Sequence, residues 1–496
     1  MEHLRWRSSL TYSQVHIVGC AARKAYRSGA MVHHSLGDGN LRVYADIYKR
    51  FTCAQASLFD PDAAPGLIDG ALEQCVKESR PVYIEIPSDM VGTQVSDEKR
   101  LQSPLHVSPP ANQQKLEDMV VGKILERIYA STQPFILVDG LARPDGIADQ
   151  VNEFVQRTGI PAFSLTFGGG IINSTLPNYH GVHSGNYGSL DFTPYTNTAD
   201  LALLFSPLLS DTNTQGWSAV PRKDITIAFR RKVVEIGESE TYALHIKSFL
   251  QRLLDRLDTG RLPSDNTKAA LLPSIRSQAR SLPPISALAP IDQDTFYLRI
   301  SSFFKPHDII VCANGTPLVG GRDFILPPSS KLINSAIWLS VGHMLPATQG
   351  AALAQQELGT GGRTIFFEGD GSFQATAQEL STIIRYKLPV YIFLINNDGY
   401  TFERLIHGLD AEYNDVARWR YLNVPDAFGA PADGSYEVET HDVGTWGELQ
   451  RVLESEKFKD GKGLKLVNVR MARDDVTRNF KAALKLAGEQ LRAPSS

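Results

Sequence analysis

The sequence predicts an α/β fold made of three doubly wound parallel-sheet domains, the first of them incomplete. Short, continuous apolar runs alternate with helical patterns along the chain. The clearest runs lie at 15–18, 82–86, 135–138, 364–367 and 390–395. Continuous rather than alternating apolar runs are typical of parallel strands that are covered on both faces.

Two proline- and serine-rich stretches, 103–113 and 262–290, divide the chain into three parts, because proline removes a backbone donor and favours extended or turn geometry. We expect a partial first domain at 1–102, a central Rossmann-like domain at 114–261 and a third domain at 285–490. Residues 10–14 read as the tail of a helix that runs into the first strand. The first part is short and holds fewer strands than an α/β domain needs to cover its sheet edges. We therefore expect this domain to be incomplete.

Composition narrows the class of partner. The 496 residues are 42% hydrophobic and 21% charged with a net charge of -4, a balance without the basic surface that nucleic acid requires. The four cysteines are scattered and form no CxxC pair, which argues against a zinc site or a disulfide framework. No run reaches the roughly 18 apolar residues of a membrane span. We expect a cytoplasmic protein that binds a small molecule and neither nucleic acid nor membrane.

Two polar motifs each follow one of the predicted strands. The sequence GDGS, at 369–372, follows the run at 364–367, and NNDGY, at 396–400, follows the run at 390–395. The apolar-periodic stretch 373–385 between them predicts a helix. A right-handed crossover of this size can place the two strands side by side, or nearly so, with both motifs at their carboxyl ends. Ligands bind at that end of an open parallel sheet.

The residue types in these motifs suit a diphosphate and a divalent cation. We expect Gly369 and Gly371 to let the backbone turn sharply near a ligand, and Ser372 to start a helix whose free N–H groups receive phosphate oxygens. Either motif alone is often just a turn. Their pairing at two strand ends, one helix apart, is what predicts a ligand site.

Magnesium prefers hard oxygen ligands in octahedral geometry. Asp370 and Asn397 can supply a carboxylate and an amide oxygen, and the main-chain carbonyl of Gly399 can supply a third ligand. Two diphosphate oxygens and a water molecule would complete the octahedron. The motifs therefore predict a magnesium ion that anchors a diphosphate.

The stretch from Gly369 to Gly408 resembles the thiamine-diphosphate signature of the pyruvate decarboxylase family, especially its fungal members. The likeness runs in order along essentially the whole chain and includes LSDTNT at 209–214 and HHSLG at 33–37. It implies the thiamine-diphosphate enzyme fold, with pyrimidine-binding, central and diphosphate-binding domains. It also implies a homodimer or homotetramer that uses thiamine diphosphate and Mg²⁺ to decarboxylate a 2-oxo acid, most directly pyruvate, to an aldehyde and CO2 without oxidation.

The resemblance also implies roles for single residues. The expected magnesium ligands are Asp370, Asn397 and Gly399. The expected cofactor-binding residues are Thr316, Leu339, Val341, Gly369, Gly371, Ser372, Asn397, Tyr400 and Phe402. The expected catalytic residues are His33, His34 and Glu403, which would assist proton transfer. Without the resemblance, Val341 reads as a core valine, Glu403 as solvated surface and the histidine pair as a polar loop or a chance metal clamp.

Departures from the family pattern leave alternatives open. The family glutamate that activates the cofactor, and an aspartate near it, have no counterpart in this sequence. We interpret the sequence as a truncated form, and the alternative is a natural short form that binds cofactor or modulates a partner subunit without catalysis. A second alternative is a carboligase or oxidase of the acetolactate synthase or pyruvate oxidase type, against which His33 and His34 argue. Leu318 and Val319 differ from the pyruvate-type pattern, which leaves a larger 2-oxo acid open.

Overall fold

The structure is a computed structural model that describes residues 14–28, 31–33, 35–96, 105, 107, 110–263 and 269–484. Within these residues the strands form three mostly parallel sheets flanked by helices, which confirms the predicted α/β class. No helix among the described residues is long and apolar enough to cross a membrane. The predicted helix end at 10–14 lies, apart from Gln14, outside the described residues, as does most of the stretch 103–109.

The first compact unit comprises Met1–Gln113 together with Arg143–Gly146. Its described strands are β1 (Val15–Cys20), β2 (Ala54–Ser57) and β3 (Val82–Pro87), and its helices are α1 (Arg23–Ser28), α2 (Val43–Tyr48) and α3 (Ala64–Glu78). The strands are parallel, in the order β1-β3-β2. Helix α3 buries Ala71 and Cys75 against Val82 and Ile84, which gives this sheet its own small core.

The second compact unit, Gln114–Ala142 with Ile147–Ser496, contains the other two sheets. The strands of the first of these are β4 (Pro134–Val138), β5 (Ala162–Ser164), β6 (Tyr179–Val182), β7 (Leu201–Phe205), β8 (Thr226–Arg230), β9 (Val233–Ile236) and β10 (Glu240–Ala243). Its helices are α4 (Gln114–Ala130), α5 (Ala148–Thr158), α6 (Thr193–Thr196), α7 (Ile246–Arg256) and α8 (Ile275–Arg280). The order is β10-β9-β8-β7-β4-β5-β6, and β9 pairs antiparallel with both of its neighbours. The sheet therefore departs from the all-parallel expectation at one edge.

The third sheet has the order β12-β11-β13-β14-β16-β15 among the described strands, all of them parallel. Its strands are β11 (Ile309–Cys312), β12 (Lys331–Asn334), β13 (Thr364–Gly369), β14 (Val390–Asn396), β15 (Val438–Val443) and β16 (Leu464–Arg470). Its helices are α9 (Gln293–Ile300), α10 (Thr316–Gly320), α11 (Met344–Leu358), α12 (Asp370–Thr376), α13 (Glu379–Arg385), α14 (Thr401–His407), α15 (Val424–Ala427), α16 (Trp446–Glu454) and α17 (Glu456–Lys459). Alternate residues of the central strands enter separate cores, with Phe367 and Phe393 on one face and Phe366 and Ile392 on the other.

The register of β13 and β14 positions the two polar motifs. The strands are direct parallel neighbours, and Gly369 lies opposite Ile395, so the motifs emerge at the same edge of the sheet as predicted. The predicted single helix 373–385 is wrong in detail, because α12 already begins at Asp370 and the helical path breaks between Thr376 and Glu379. The apolar pattern continues across that break, since Ala377 and Leu380 are both buried.

The stretch 262–290, predicted as a linker, contains helix α8, so that prediction is wrong for this part of it. Ser274 and Ser277 form a reciprocal capping box at the start of α8. Ile275 is buried, and the Arg276 guanidinium donates 2.8 Å hydrogen bonds to the carbonyl oxygens of Ser174 and Leu176. The segment is therefore held against the β4–β10 sheet domain by specific contacts.

A buried histidine in this unit gives the fold a pH dependence. His183 follows β6, is 2% exposed, and packs beside the adjacent rings of Phe163 and Phe192, whose centroids are each 6.0 Å from that of its imidazole. Burial lowers the pKa of His183 to about 4, because the charged imidazolium would lose its hydration there. In the unfolded chain the pKa returns to about 6.5. The free energy of unfolding is therefore unaffected by protonation of His183 above about pH 6.5. It decreases as the pH falls from 6.5 toward 4, because the unfolded chain binds a proton there that the folded chain does not.

We expect His183→Gln to flatten the acid side of the stability profile. Urea unfolding of both proteins at pH values from 7.5 to 4.5 measures this, and the free energy of unfolding of the wild type should fall further, by up to about 3 kcal/mol. Values above pH 6.5 serve as the internal reference, because the histidine is neutral in both states there. Parallel losses in the two proteins would contradict the prediction.

Candidate functional site

A cleft with a cavity volume of about 280 Å³ opens at the carboxyl ends of β13 and β14. It is lined by the predicted residues Thr316, Leu339, Val341, Gly369, Asp370, Gly371, Ser372, Asn397, Gly399, Tyr400, Phe402 and Glu403. Thr212 and Gln215, from the β4–β10 sheet domain, complete one wall. His33 belongs to the first unit, and His34 lies outside the described residues, so the role of the histidine pair stays a prediction.

Asp370 joins the two strand-end loops. Its side chain is almost fully buried, with Oδ1 accepting a 2.7 Å hydrogen bond from the Gly371 N–H and Oδ2 accepting a 3.0 Å bond from the Gly399 N–H. Burial raises the pKa of Asp370 to about 6, although backbone N–H groups of Gly371, Gly399 and Asn397 act in the opposite direction. A carboxylate desolvated in this way is well suited to a bound cation, which would compensate its charge.

The amide of Asn397 has its orientation set by a neighbouring hydroxyl. Thr401 Oγ1 donates to the carbonyl oxygen of Arg473 at 3.0 Å, so its lone pairs accept the 2.6 Å hydrogen bond from Asn397 Nδ2. The amide nitrogen must therefore face Thr401, which leaves Asn397 Oδ1 for another partner. Because Asn397 lines the cleft, its oxygen is a candidate metal ligand beside the Asp370 carboxylate.

Glycine is required at position 399 because of the backbone conformation there and the close approach of neighbouring atoms. Its φ of 135° lies in a region that side chains rarely adopt, and a Cβ atom would lie 2.4 Å from the carbonyl oxygen of Asn414. The same Cβ would lie 2.5 Å from Nη2 of Arg404. The loop 397–399, which we call the metal loop because it carries two of the candidate metal ligands, therefore passes closely between two neighbours and depends on glycine at this position.

Arg404 holds the metal loop by hydrogen bonds to its backbone, and the sequence analysis did not identify this residue. Its side chain is completely buried, and its guanidinium donates to the carbonyl oxygens of Asn397, at 2.9 Å, and of Asp398. Nη2 also bonds Asp415 Oδ1 at 2.6 Å. The sequence carries one weak signal, a basic residue directly after Glu403, which alone reads as an exposed charged face.

The two glycines of the first motif have different roles. Gly369 has φ -75° and ψ 153°, an extended conformation open to any residue, and a Cβ there would meet nothing within 4 Å. The expected sharp turn at Gly369 is therefore wrong. Gly371 lies inside α12, where a Cβ would come within 2.6 Å of the Tyr400 ring. Glycine is needed at 371 for space rather than for turning.

Ser372 is the third residue of α12, so the expectation that it starts a helix is wrong. Its hydroxyl donates to Oε1 of the buried Glu368 at 2.9 Å and accepts a 2.9 Å hydrogen bond from the Gly342 N–H. The Gly342 carbonyl accepts a second bond, of 2.8 Å, from Thr376 Oγ1. Side chains of α12 therefore hold both backbone groups of Gly342.

These bonds fix the loop that presents Leu339 and Val341. Leu339 has φ 48° and is 38% exposed, while Val341 is 55% exposed. The alternative interpretation of Val341 as a core valine is therefore wrong. An exposed aliphatic side chain at the cleft wall is instead available for contact with a bound ligand.

Glu403 lies in the first turn of α14, directly after the metal loop. Its side chain is exposed and lines the cleft together with Phe402. The exposed glutamate is thus not in an isolated surface position, because the same short segment carries Asn397 and Gly399. The geometry brings a carboxyl group into the same cleft as the candidate metal ligands.

The donor set fits a magnesium-bound diphosphate. The cleft offers one buried carboxylate, one oriented amide oxygen and the backbone of Gly399, all hard oxygen donors. Among the described residues no cluster of three or more His, Cys, Asp or Glu side chains is placed to hold a metal.

Comparison with known proteins defines the class. The C-terminal thiamine pyrophosphate-binding domain model of thiamine pyrophosphate enzymes matches residues 319–469, and the central domain model of the same enzymes matches residues 121–257. Together these matches cover the part of the chain that builds the β4–β10 sheet and nearly all of the part from β12 to β16, while β11 lies just before the second match. The chain is thus a thiamine-diphosphate enzyme by sequence.

Individual relatives identify the family within this class of enzymes. The chain is 42% identical over 470 residues to a pyruvate decarboxylase of Aspergillus parasiticus, covering 93% of this chain and 80% of the relative. It is 29% identical over 472 residues to pyruvate decarboxylase isozyme 1 of Saccharomyces cerevisiae, covering 95% and 82%. The chain belongs to the pyruvate decarboxylase family of thiamine-diphosphate-dependent enzymes, which are carboxy-lyases of 2-oxo acids.

Solved structures confirm the fold. A putative thiamin diphosphate-dependent enzyme from Mycobacterium smegmatis matches with a TM-score of 0.68 at 17% identity, covering 93% of this chain and 82% of that one. The benzoylformate decarboxylase of Polynucleobacter necessarius matches with a TM-score of 0.66 at 17% identity, covering 94% and 83%. At this identity the likeness concerns the fold alone.

The two motif glycines offer a matched pair of substitutions. We expect Gly371→Ala to lower the thermal unfolding midpoint, because its Cβ would overlap the Tyr400 ring at a cost of about 1–3 kcal/mol. Gly369→Ala should leave the midpoint unchanged or slightly raised, since the alanine restricts the unfolded chain and meets open space. Differential scanning calorimetry measures both, and equal effects of the two substitutions would refute this account.

Arg404 can be tested by metal-dependent cofactor binding. We expect Arg404→Met to weaken Mg²⁺-dependent binding of thiamine diphosphate by about 10- to 100-fold, because the carbonyl groups of Asn397 and Asp398 lose the guanidinium that orients them. Arg418→Met is the matched control, since Arg418 approaches Asp398 at 3.5 Å but is 85% exposed. Isothermal titration calorimetry measures the affinities, with circular dichroism as a check on folding. Wild-type affinity in Arg404→Met would show that the hydrogen bonds from Arg404 to the metal loop do not affect cofactor binding.

Proposed function

We propose that this chain catalyses the Mg²⁺- and thiamine-diphosphate-dependent, non-oxidative decarboxylation of a 2-oxo acid to an aldehyde and CO2. The observation that carries the proposal is the grouping of Asp370, Asn397 and Gly399 with Glu403 in one cleft. The relatives named pyruvate decarboxylase support pyruvate as the reference substrate. We further propose a cytoplasmic homodimer or homotetramer, as the family resemblance suggests.

The chain's own residues would hold the cofactor at its diphosphate end. Asp370, Asn397 and the backbone of Gly399 would bind Mg²⁺, while Thr316 and Ser372 lie at the same cleft for the diphosphate. Leu339 and Val341 would support the rest of the cofactor. Bound thiamine diphosphate supplies a nucleophilic carbon and an acceptor for the electron pair that decarboxylation leaves behind.

The reaction breaks the bond between the carboxylate carbon and the carbonyl carbon of the substrate. CO2 leaves without the bonding electron pair, and the carbonyl carbon takes up one proton to become the aldehyde carbon. Glu403 is the proposed group that moves this proton, because it reaches the cleft beside the metal loop. Phe402, Leu318 and Val319 would exclude water from the reacting end. We keep His33 and His34 as proposed proton-transfer partners.

One alternative is a chain that binds the cofactor without turning over substrate. It is favoured by the absence, in this sequence, of a residue that matches the family's activating glutamate. Because the metal and diphosphate residues are independent of that glutamate, cofactor binding and turnover can be measured separately. The carboligase alternative predicts acetolactate as a product and often a flavin.

We expect the purified chain to form aldehyde from pyruvate, phenylpyruvate or indolepyruvate in an assay coupled to NADH-dependent aldehyde reduction. The rate should require both Mg²⁺ and thiamine diphosphate, disappear in Asp370→Ala, and fall about 10²- to 10⁴-fold in Glu403→Gln. Arg418→Met should retain the rate and controls for surface substitution.

The outcomes separate the alternatives. Cofactor binding by calorimetry with no aldehyde from any of these acids would support the non-catalytic chain. Acetolactate formation or a yellow purified protein would support the carboligase. Failure to bind thiamine diphosphate in the presence of Mg²⁺ would refute the proposed function altogether.

A further inference from the structure

Arg322 places a positive charge in the wall of the cleft, and no role has been assigned to it above. It lies two residues after the end of α10, is partly buried, and lines the cleft together with Phe402 and Phe480. Its Cζ atom lies 5.8 Å from the centroid of the Phe480 ring, and the Phe402 and Phe480 ring centroids are 4.9 Å apart. The guanidinium therefore belongs to an aromatic corner of the cleft that also adjoins Glu403.

The guanidinium forms no ion pair among the described residues, although the charge of the neighbouring Asp323 acts to raise its pKa. Its Nε and Nη1 atoms are buried and make no hydrogen bond within that part of the chain. Asp323, the next residue, accepts a hydrogen bond of 2.5 Å from Ser189 instead and forms no ion pair with Arg322. Burial lowers the pKa of Arg322 to about 10, so the side chain stays charged at neutral pH.

Burying the Nε and Nη1 atoms without hydrogen-bond partners is costly. A buried cation loses hydration, and it is usually retained where an anion or a set of acceptors compensates it. An arginine is moreover suited to carboxylates, because its planar fork makes two parallel hydrogen bonds. Since Arg322 lines the cleft rather than the core, a bound ligand can bring the missing carboxylate.

The neighbours of Arg322 indicate what lies between the carboxylate and the reacting end. Leu318 and Val319, both less than 10% exposed, belong to the same short segment and line the cleft with Phe402 and Phe480. These side chains suit methylene groups rather than a polar linker. This part of the cleft wall thus combines apolar side chains with the basic side chain of Arg322.

We propose that the substrate is a 2-oxo dicarboxylic acid, a short 2-oxo acid whose distal end carries a second carboxylate that pairs with Arg322. The inference rests on the proposed function and specifies its substrate class. Decarboxylation then removes the carboxylate next to the ketone as CO2, and one proton is taken up at the former carbonyl carbon. The product keeps the distal carboxylate and is an aldehyde acid. No oxidant or further reactant is needed.

The first test measures binding without turnover. Glutarate is compared with 5-methylhexanoate, in which an isopropyl group replaces one carboxylate, by calorimetry on the chain loaded with thiamine diphosphate and Mg²⁺. We expect the wild type to prefer glutarate by about 10- to 100-fold, the ratio that one charge-assisted hydrogen-bonded pair supplies. Arg322→Met should abolish the preference and Arg322→Lys should retain part of it. The control Arg222→Met, at an exposed arginine of the β4–β10 sheet domain, should keep it in full.

The second test measures turnover of 2-oxoglutarate against its apolar isostere 5-methyl-2-oxohexanoate. The wild-type ratio of kcat/KM should favour the diacid, and Arg322→Met should reverse it. Turnover of pyruvate with no preference for 2-oxoglutarate over its isostere, or an equal preference in Arg322→Met, would overturn the assignment of Arg322 and leave the proposed function standing. Absence of turnover on every 2-oxo acid, with intact glutarate preference in the binding test, would count against the decarboxylase and not against the carboxylate site.

Discussion

The site depends on one constraint, the parallel pairing of β13 with β14 in a register that sets Gly369 against Ile395. Adjacent parallel strands end at the same edge, so Asp370 and the loop from Asn397 to Gly399 emerge together although Asp370 and Asn397 are 27 positions apart in the sequence. The Gly399 N–H then donates to Asp370 Oδ2 and closes the pair. Every other feature of the cleft is arranged around this link.

The surroundings of that link come from several elements, and each restrains a different loop. Arg404 in α14 binds the carbonyls of the metal loop, while Ser372 and Thr376 in α12 bind Gly342 and so hold the loop that carries Val341. The β4–β10 sheet domain is tied in by Thr212 Oγ1, which donates to the Ala336 carbonyl oxygen at 2.8 Å. The cleft is therefore a joint product of two sheets in one compact unit.

Sequence patterns predicted the main strands and the meeting of Asp370 with the loop 397–399, because both follow from apolar periodicity and from the topology of parallel sheets. The other expected cleft residues came from the family resemblance. The patterns did not predict the break between α12 and α13, since burial of Ala377 and Leu380 keeps the periodicity intact across it. Nor did they predict Arg404 or Arg322, because the significance of a buried arginine depends on which carbonyls or empty spaces its guanidinium meets. Gly369 shows the opposite error, a glycine in a motif that the backbone itself does not need.

The hydrogen bonds from Arg404 order the metal loop before any ligand binds. The carbonyls of Asn397 and Asp398 are already held by a fully buried guanidinium, and the Asn397 amide is already oriented by Thr401. The conformational entropy of ordering this loop is then lost when the chain folds, not when a cation arrives. Glu403 lies on the helix that begins at this preorganised loop, so its position is inherited from folding as well.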